Sequence, residues 1–185
     1  TQPGLVRMSG EEILEQECLV LSPCALEGVI SEKNADKLKC KYIVEGANGP
    51  VRPEGDAILD KRGIIVVPDF LANSGGVIGS YFEWVQDLAG FFWTEEEYNN
   101  RLVPIMKDNF KRVWDYAQEH NVKMRRAAFL VAIKRVADGL KLKGSAGVKP
   151  GAYASRQSPW DAYFTSVADL LASDPPQAED LALFR

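Results

Sequence analysis

The sequence predicts an α/β fold, a parallel sheet flanked by helices and followed by C-terminal helices. Three observations carry that reading. Short apolar runs occur at residues 18–21 (CLVL), 42–44 (YIV) and 64–67 (IIVV), each stopped by Gly or Pro within a few residues. Helix-forming segments lie between them. The runs are largely β-branched and lack inside–outside alternation, as strands covered on both faces do.

Each element has a local cause. Ser9 followed by Glu12 is a capping box for a helix near residues 10–15. The first strand, read as buried, ends at Ser22-Pro23. Ser31 caps a helix through about Leu38, with Ala35 and Leu38 on its inner face. The second strand ends in Glu45-Gly46-Ala47-Asn48-Gly49-Pro50. Pro53 suits a first helical turn, where its missing N–H has no helical partner. That helix buries Ala57, Ile58 and Leu59 and stops at Gly63, before the third strand ends at Pro68-Asp69.

Beyond Gly76 the pattern is helical. One helix covers Val77 to Asp87. Thr94 with Glu97 opens another through a second capping box, and Tyr98, Leu102, Ile105, Met106, Phe110, Val113, Trp114 and Ala117 share its inner face. Pro104 is expected to kink or divide it. Asn121 caps a third helix with Met124, Ala128, Val131 and Leu140 inward, and Gly144 stops it. The domain reading is therefore residues 1–144, a Gly/Ser/Ala/Pro-rich linker at 145–158, and an amphipathic helix and tail at 159–185.

Composition excludes several classes. The 185 residues are 46% hydrophobic and 26% charged, with a formal net charge of -4, so neither a disordered tail nor a basic nucleic-acid footprint is present. No apolar run is long enough to span a bilayer, and no signal pattern opens the chain. Three cysteines without a C-x-x-C pair fit a reducing, cytoplasmic setting. A single histidine, His120, removes most His-based metal and triad chemistry; a solvated or capping role suits it. The chain opens at Thr1 without Met, as a fragment or processed product does.

In a parallel sheet the loops leaving the C-terminal strand ends gather at one edge, where open α/β sheets bind ligands. Three loops qualify: residues 22–25, 45–50 and 69–76. All carry small residues, and two carry an Asn, whose amide suits a carboxamide or ribose hydroxyls. The same residues also make ordinary turns and caps. Asn73-Ser74-Gly75-Gly76 leads into a helix start whose free N–H groups favour an anion or carbonyl oxygen, and Ser80 lies about one turn further on. Asp69 either aids positioning at this edge or caps a turn. Cys24 reads as a small apolar filler. The aromatics Tyr81, Phe82, Trp84, Phe91, Phe92 and Trp93 are expected to pack helices against the sheet or a neighbouring domain.

The stretches VEGANGP at 44–50 and VPDFLANSGGVIGSYFEWVQDL at 67–88 closely resemble the glutamate dehydrogenase family, within the wider Glu/Leu/Phe/Val dehydrogenases. LSPCALEGVISEKNADKLK at 21–39 and MRRAAFLVAIKRVADGLKLKG at 124–144 extend the resemblance across roughly residues 9–144. EGANGP followed at this distance by LAN-x-GG-V-x-x-SYFEW is specific. The resemblance implies the second half of a dinucleotide-binding domain, a partial Rossmann-like sheet. It implies that Asn48, Asn73 and Ala25 lie along NAD or NADP, and that Ser80 contacts the side-chain carboxylate of glutamate. Two positions depart from the commonest family spelling, Ser74 where alanine is usual and Gly79 where a β-branched residue is frequent. Gly79 is expected to loosen its helix start by up to about 1 kcal/mol.

The activity so implied is oxidative deamination of L-glutamate to 2-oxoglutarate and ammonia, usually by a homo-hexamer, without nucleic-acid or membrane partners. The family's Gly-rich phosphate turn, and the separate domain that carries its catalytic lysine and aspartate, have no match in this chain. The isolated chain is therefore expected not to turn over glutamate, and no catalytic residue is assigned. Two alternatives stand beside this reading: a branched-chain or aromatic amino-acid dehydrogenase, and a non-catalytic remnant serving as an interaction module.

Overall fold

The computed structural model describes residues 6–143. The linker and amphipathic segment expected at 145–158 and 159–185, and the stop at Gly144, lie outside the described residues. The chain divides into two compact units after Ala128. The first contains the sheet and the three loops; the described part of the second continues the last helix.

The architecture is α/β, as the apolar runs predict. In chain order the elements are α1 (Gly10–Leu14), β1 (Val20–Leu21), β2 (Tyr42–Val44), α2 (Pro53–Lys61), β3 (Ile65–Val67), α3 (Asp69–Ala72), α4 (Gly75–Ala89), α5 (Glu95–Glu119) and α6 (Met124–Lys143). The three strands are parallel in the order β1-β2-β3, with Ile43 opposite Leu21 on one side and Val66 on the other.

Strand β3 shows why the runs lack alternation. Val66 packs into a core of Ile30, Ala35, Leu38, Ile43, Val51, Leu59 and Ile64. Its neighbours Ile65 and Val67 point the other way, against Leu71, Val113, Ala117, Met124, Ala127 and Ala128. Successive side chains face opposite sides of a sheet, and here both sides are apolar. β1 differs. Leu19 and Val20 are 66% and 49% exposed, so it is not the buried strand that CLVL suggests.

Both capping boxes form. Ser9 and Glu12 exchange bonds at the start of α1, as do Thr94 and Glu97 at the start of α5. Pro53 occupies the first turn of α2. Gly63, at φ 71, closes α2 by donating to Asp60, while Ile64 donates to Leu59.

Four local expectations are corrected. Residues 31–38 form a run of turns rather than a helix. The Asn34 side chain accepts from the Ser31 N–H and donates to the Val29 carbonyl, giving the backbone local partners that compete with a helix. Arg62 then pins the turns through the Ala35 and Leu38 carbonyls at 2.5 and 2.6 Å. Ala35 and Leu38 are nonetheless fully buried.

On α2 the buried face is Gly55 and Leu59, one helical turn apart, and Ala57 is exposed. A Cβ on Gly55 would stand 3.1 Å from Ser31 Cα, so the helix lies close over that backbone. Pro104 does not divide α5, which runs unbroken through it. Asn121 caps the end of α5 rather than the start of α6. It takes the left-handed conformation at φ 50 and donates to Gln118, and Val122 donates to Ala117.

Helices α4 and α5 pack through an aromatic cluster. Phe82 meets Trp93 and Tyr98 edge-on, with centroids 5.3 and 5.5 Å apart. Gly79 permits this approach, because a Cβ there would lie 2.5 Å from the Tyr98 hydroxyl. Tyr81, Trp84, Phe91 and Phe92 are exposed, so of the aromatics expected to pack, only Phe82 is buried and Trp93 half-buried. His120 stacks on Tyr116 at 4.0 Å, a local role at the helix end.

Candidate functional site

The C-terminal ends of the three parallel strands lead into three loops that meet along one edge. The first two are stitched directly. Ser22 donates its hydroxyl to the Val44 carbonyl at 2.9 Å, and the N–H groups of Gly46 and Ala47 donate to the Pro23 carbonyl at 3.1 and 2.9 Å. Glycine at 46 makes room for Cys24, whose Sγ a Cβ there would meet at 2.5 Å and displace.

The second and third loops are joined by their asparagines. Asn73 Nδ2 donates to Asn48 Oδ1 at 2.8 Å and to the Gly46 carbonyl at 3.2 Å. Asn73 ends α3, fixed by its own N–H to the Asp69 carbonyl. An open cleft of about 770 Å³ results, lined by Ala25, Gly46, Asn48, Phe70, Asn73 and Val77 among others. Among the described residues Asn48 Nδ2 and Asn73 Oδ1 take part in no hydrogen bond, so one donor group and one acceptor group face the cleft for a ligand.

The structure thus brings Ala25, Asn48 and Asn73 to one cleft. Ser80 is not among the lining residues. It follows Val77 by three positions on α4 and donates its hydroxyl to the Gly76 carbonyl at 3.2 Å. The start of α4 is less open than its sequence suggests, because the Gly76 N–H donates to the Asn73 carbonyl. Ser74, the unusual residue, bonds the Leu71 carbonyl at 2.8 Å and Met106 Sδ at 3.3 Å, tying α3 to α5.

Behind the cleft lies a charged cluster that the sequence reading missed. Glu45, the residue after β2, is fully buried. Arg125 meets it with two parallel bonds, 3.0 Å to Oε2 and 2.6 Å to Oε1. Glu45 Oε2 also accepts from the Asp69 N–H at 2.7 Å. Asp69 in turn accepts from the N–H groups of Gly49 at 2.7 Å and Phe70 at 2.8 Å. Asp69, the first residue of α3, therefore holds the second loop through Gly49 and also bonds its neighbour Phe70.

Burial, the largest single influence on Arg125, pulls its pKa down. The hydrogen bonds and charge of Glu45, with the charges of Asp56 and Asp69, outweigh it, so the guanidinium stands above its ordinary value. One signal for this cluster was present in the sequence. A carboxylate at the end of an apolar strand in a two-faced sheet needs a cation, although nothing in the sequence singles out Arg125 as that cation. Among the described residues no group of three His, Cys, Asp or Glu could hold a metal ion, and no helix is long and apolar enough to cross a membrane.

A parallel sheet with helices and a cleft at the carboxyl edge of its strands defines a Rossmann-like class of fold. Residues 2–144 match the family model described as Glutamate/Leucine/Phenylalanine/Valine dehydrogenase, and the chain belongs to that family. It is 51% identical over 144 residues to the glutamate dehydrogenase of Thermotoga maritima, covering 78% of this chain and 35% of that protein.

Among solved structures, the glutamate dehydrogenase of Peptoniphilus asaccharolyticus superposes with a TM-score of 0.63 at 45% identity, over 66% of this chain and 31% of that one. The hetero-hexameric glutamate dehydrogenase of Thermus thermophilus, in its Leu-bound form, gives 0.72 at 33% identity, over 80% of this chain and 35% of that one. The chain spans about a third of the length of these relatives.

Proposed function

We propose that the chain is the later half of the nucleotide-binding domain of an NAD(P)-dependent amino-acid dehydrogenase acting on L-glutamate. One observation carries the reading. Asn48 and Asn73 reach each other at 2.8 Å from adjacent lips of a cleft at the carboxyl edge of a parallel sheet. Their unused donor and acceptor complement a carboxamide, which presents one of each, and nicotinamide carries such a group. Ala25, with nothing beyond Cβ, leaves room for a flat ring beside them.

Bound nicotinamide supplies the hydride acceptor for the oxidative deamination of glutamate to 2-oxoglutarate and ammonia. The part of this chain is to bind and orient. Asn48 and Asn73 hold the cofactor end, and Ser80 faces the substrate carboxylate. Glutamate is favoured over apolar amino acids by the hydroxyl at 80, by the VEGANGP spelling and by the 51% identity to a glutamate dehydrogenase. The complete enzyme is a hexamer, and three unpaired cysteines suit a cytoplasmic setting.

The test is Asn73→Ala in the complete enzyme. Losing one ligand hydrogen bond, about 0.5–1.5 kcal/mol, raises the KM for cofactor by up to about tenfold. Unchanged kinetics at limiting cofactor would remove Asn73 from the site. Faster turnover of leucine or phenylalanine than of glutamate would remove the substrate assignment. Glutamate-dependent reduction of NAD or NADP by the 185-residue chain alone would overturn the division of labour between this chain and a separate catalytic domain.

A further inference from the structure

We propose that Arg125 is a positioning residue for the two cleft amides, acting through Glu45 and Asp69. The proposal rests on the cofactor reading of the cleft and adds a residue that does not line it. Its basis is an unbroken chain of contacts. Arg125 grips both oxygens of the buried Glu45 at 3.0 and 2.6 Å and stands 3.7 Å from Asp69. Glu45 accepts from the Asp69 N–H, and Asp69 accepts from the Gly49 N–H, both at 2.7 Å.

Gly49 adjoins Asn48, and Asp69 opens the helix that Asn73 ends. Movement of the Glu45 carboxylate therefore reaches both amides, one through each loop. The contact of Arg125 with Asp56, at 3.8 Å, anchors the same guanidinium to α2, so the clamp is referenced to the rigid core.

The planar fork of arginine sets two oxygens at once, whereas a lysine holds charge at a single point. Arg125→Lys thus separates geometry from charge. A merely structural role would be met by charge alone, because the buried carboxylate would still be neutralised.

The experiment is amide hydrogen exchange by NMR on the 185-residue chain, with NAD+ as the probe in a parallel titration. In Arg125→Lys the Gly49 and Asp69 amides are expected to exchange about tenfold faster, the loss of one hydrogen bond. The Ile30 and Arg52 amides, which bond within the core at 2.9 and 2.8 Å, keep their rates. The Asn73 side-chain amide resonances are expected to move toward those of a solvated asparagine. Unchanged exchange at Gly49 and Asp69, or an equal rise at all four amides, would overturn the proposal.

If Arg125→Lys does not fold, Asp69→Ala decides. It removes both carboxylate oxygens while leaving the two Glu45–Arg125 bonds, and is expected to quicken exchange at Gly49 and at Phe70, which also donates to Asp69; no change at Gly49 would overturn the proposal. The exchange measurement needs no ligand. Failure of NAD+ to bind the unaltered chain therefore counts against the cofactor reading, while the positioning claim is judged on exchange.

Discussion

The sheet core and helix α4 are both built from largely apolar sequence, yet they end in different states. Around the sheet, Ile30, Ala35, Leu38, Ile43 and Leu59 have no exposed surface at all. On α4, only Phe82 and Gln86 are buried among fifteen residues, while Val77, Trp84 and Leu88 are 71%, 58% and 71% exposed. The sheet can bury its runs because β3 offers alternate residues to cores on opposite faces. A helix offers one stripe to one neighbour. The difference teaches that apolar content forecasts burial only where an element has a partner on each apolar face.

Substitutions can break or sharpen that comparison. The largest effect is expected from Arg125→Ala, which strands the buried Glu45 charge beneath the sheet edge and costs about 3–5 kcal/mol; urea unfolding would measure it. Leu59→Ala follows, at about 2–5 kcal/mol, because it opens a cavity in a core with no surface contact. Trp84→Ala, on the bare helix face, is expected to change stability by no more than about 0.5 kcal/mol despite removing a larger side chain. A loss at Trp84 equal to that at Leu59 would erase the distinction between the two regions.

Smaller effects come from the two capping boxes. The backbone N–H of Thr94, with its hydroxyl, holds the Glu97 carboxyl below its usual value, and Ser9 does the same for Glu12. With the folded pKa depressed, the contribution is complete above the ordinary glutamate range and fades as pH falls through the folded values. Far-UV circular dichroism should show a slight helix loss at that acid end, and Thr94→Ala should reduce its Glu97 part by removing the hydroxyl while the backbone N–H still donates. Smallest is a difference in thiol reactivity. Burial, followed by the neighbouring Cys18, pushes the Cys40 thiol up, whereas Cys24 is exposed at the cleft. Iodoacetamide at neutral pH should label Cys24 first, as peptide mapping would show.

Much of the fold was legible because its signals are local. Pro53, Gly63 and both capping boxes act within four residues of themselves, and each stands where the sequence puts it. The misreadings share a cause in contacts made at a distance or in competition. Residues 31–38 lose their helix to the side-chain bonds of Asn34 and to Arg62, 24 to 27 positions away. Asn121 looked like an N-cap, since asparagine serves both helix ends, and only its left-handed φ assigns it to α5.

At the cleft, the asparagines and small residues announce themselves by type. The clamp behind them does not, because Glu45 and Arg125 are 80 positions apart and neither is unusual alone. The reason for Gly79 likewise lies outside its own segment, in the Tyr98 hydroxyl that lies against it.

The bond between Asn73 and Asn48 has a consequence for how the two residues can be studied. Because the two amides are partners, truncating Asn73 leaves Asn48 free to change rotamer, while truncating Asn48 leaves Asn73 held by the Gly46 carbonyl alone. Their effects should therefore be non-additive, and a double-mutant cycle should return a coupling energy on the order of 0.5–3 kcal/mol. A guest entering the cleft meets side chains whose torsions are already frozen, so less entropy is lost on docking than two loose asparagines would forfeit.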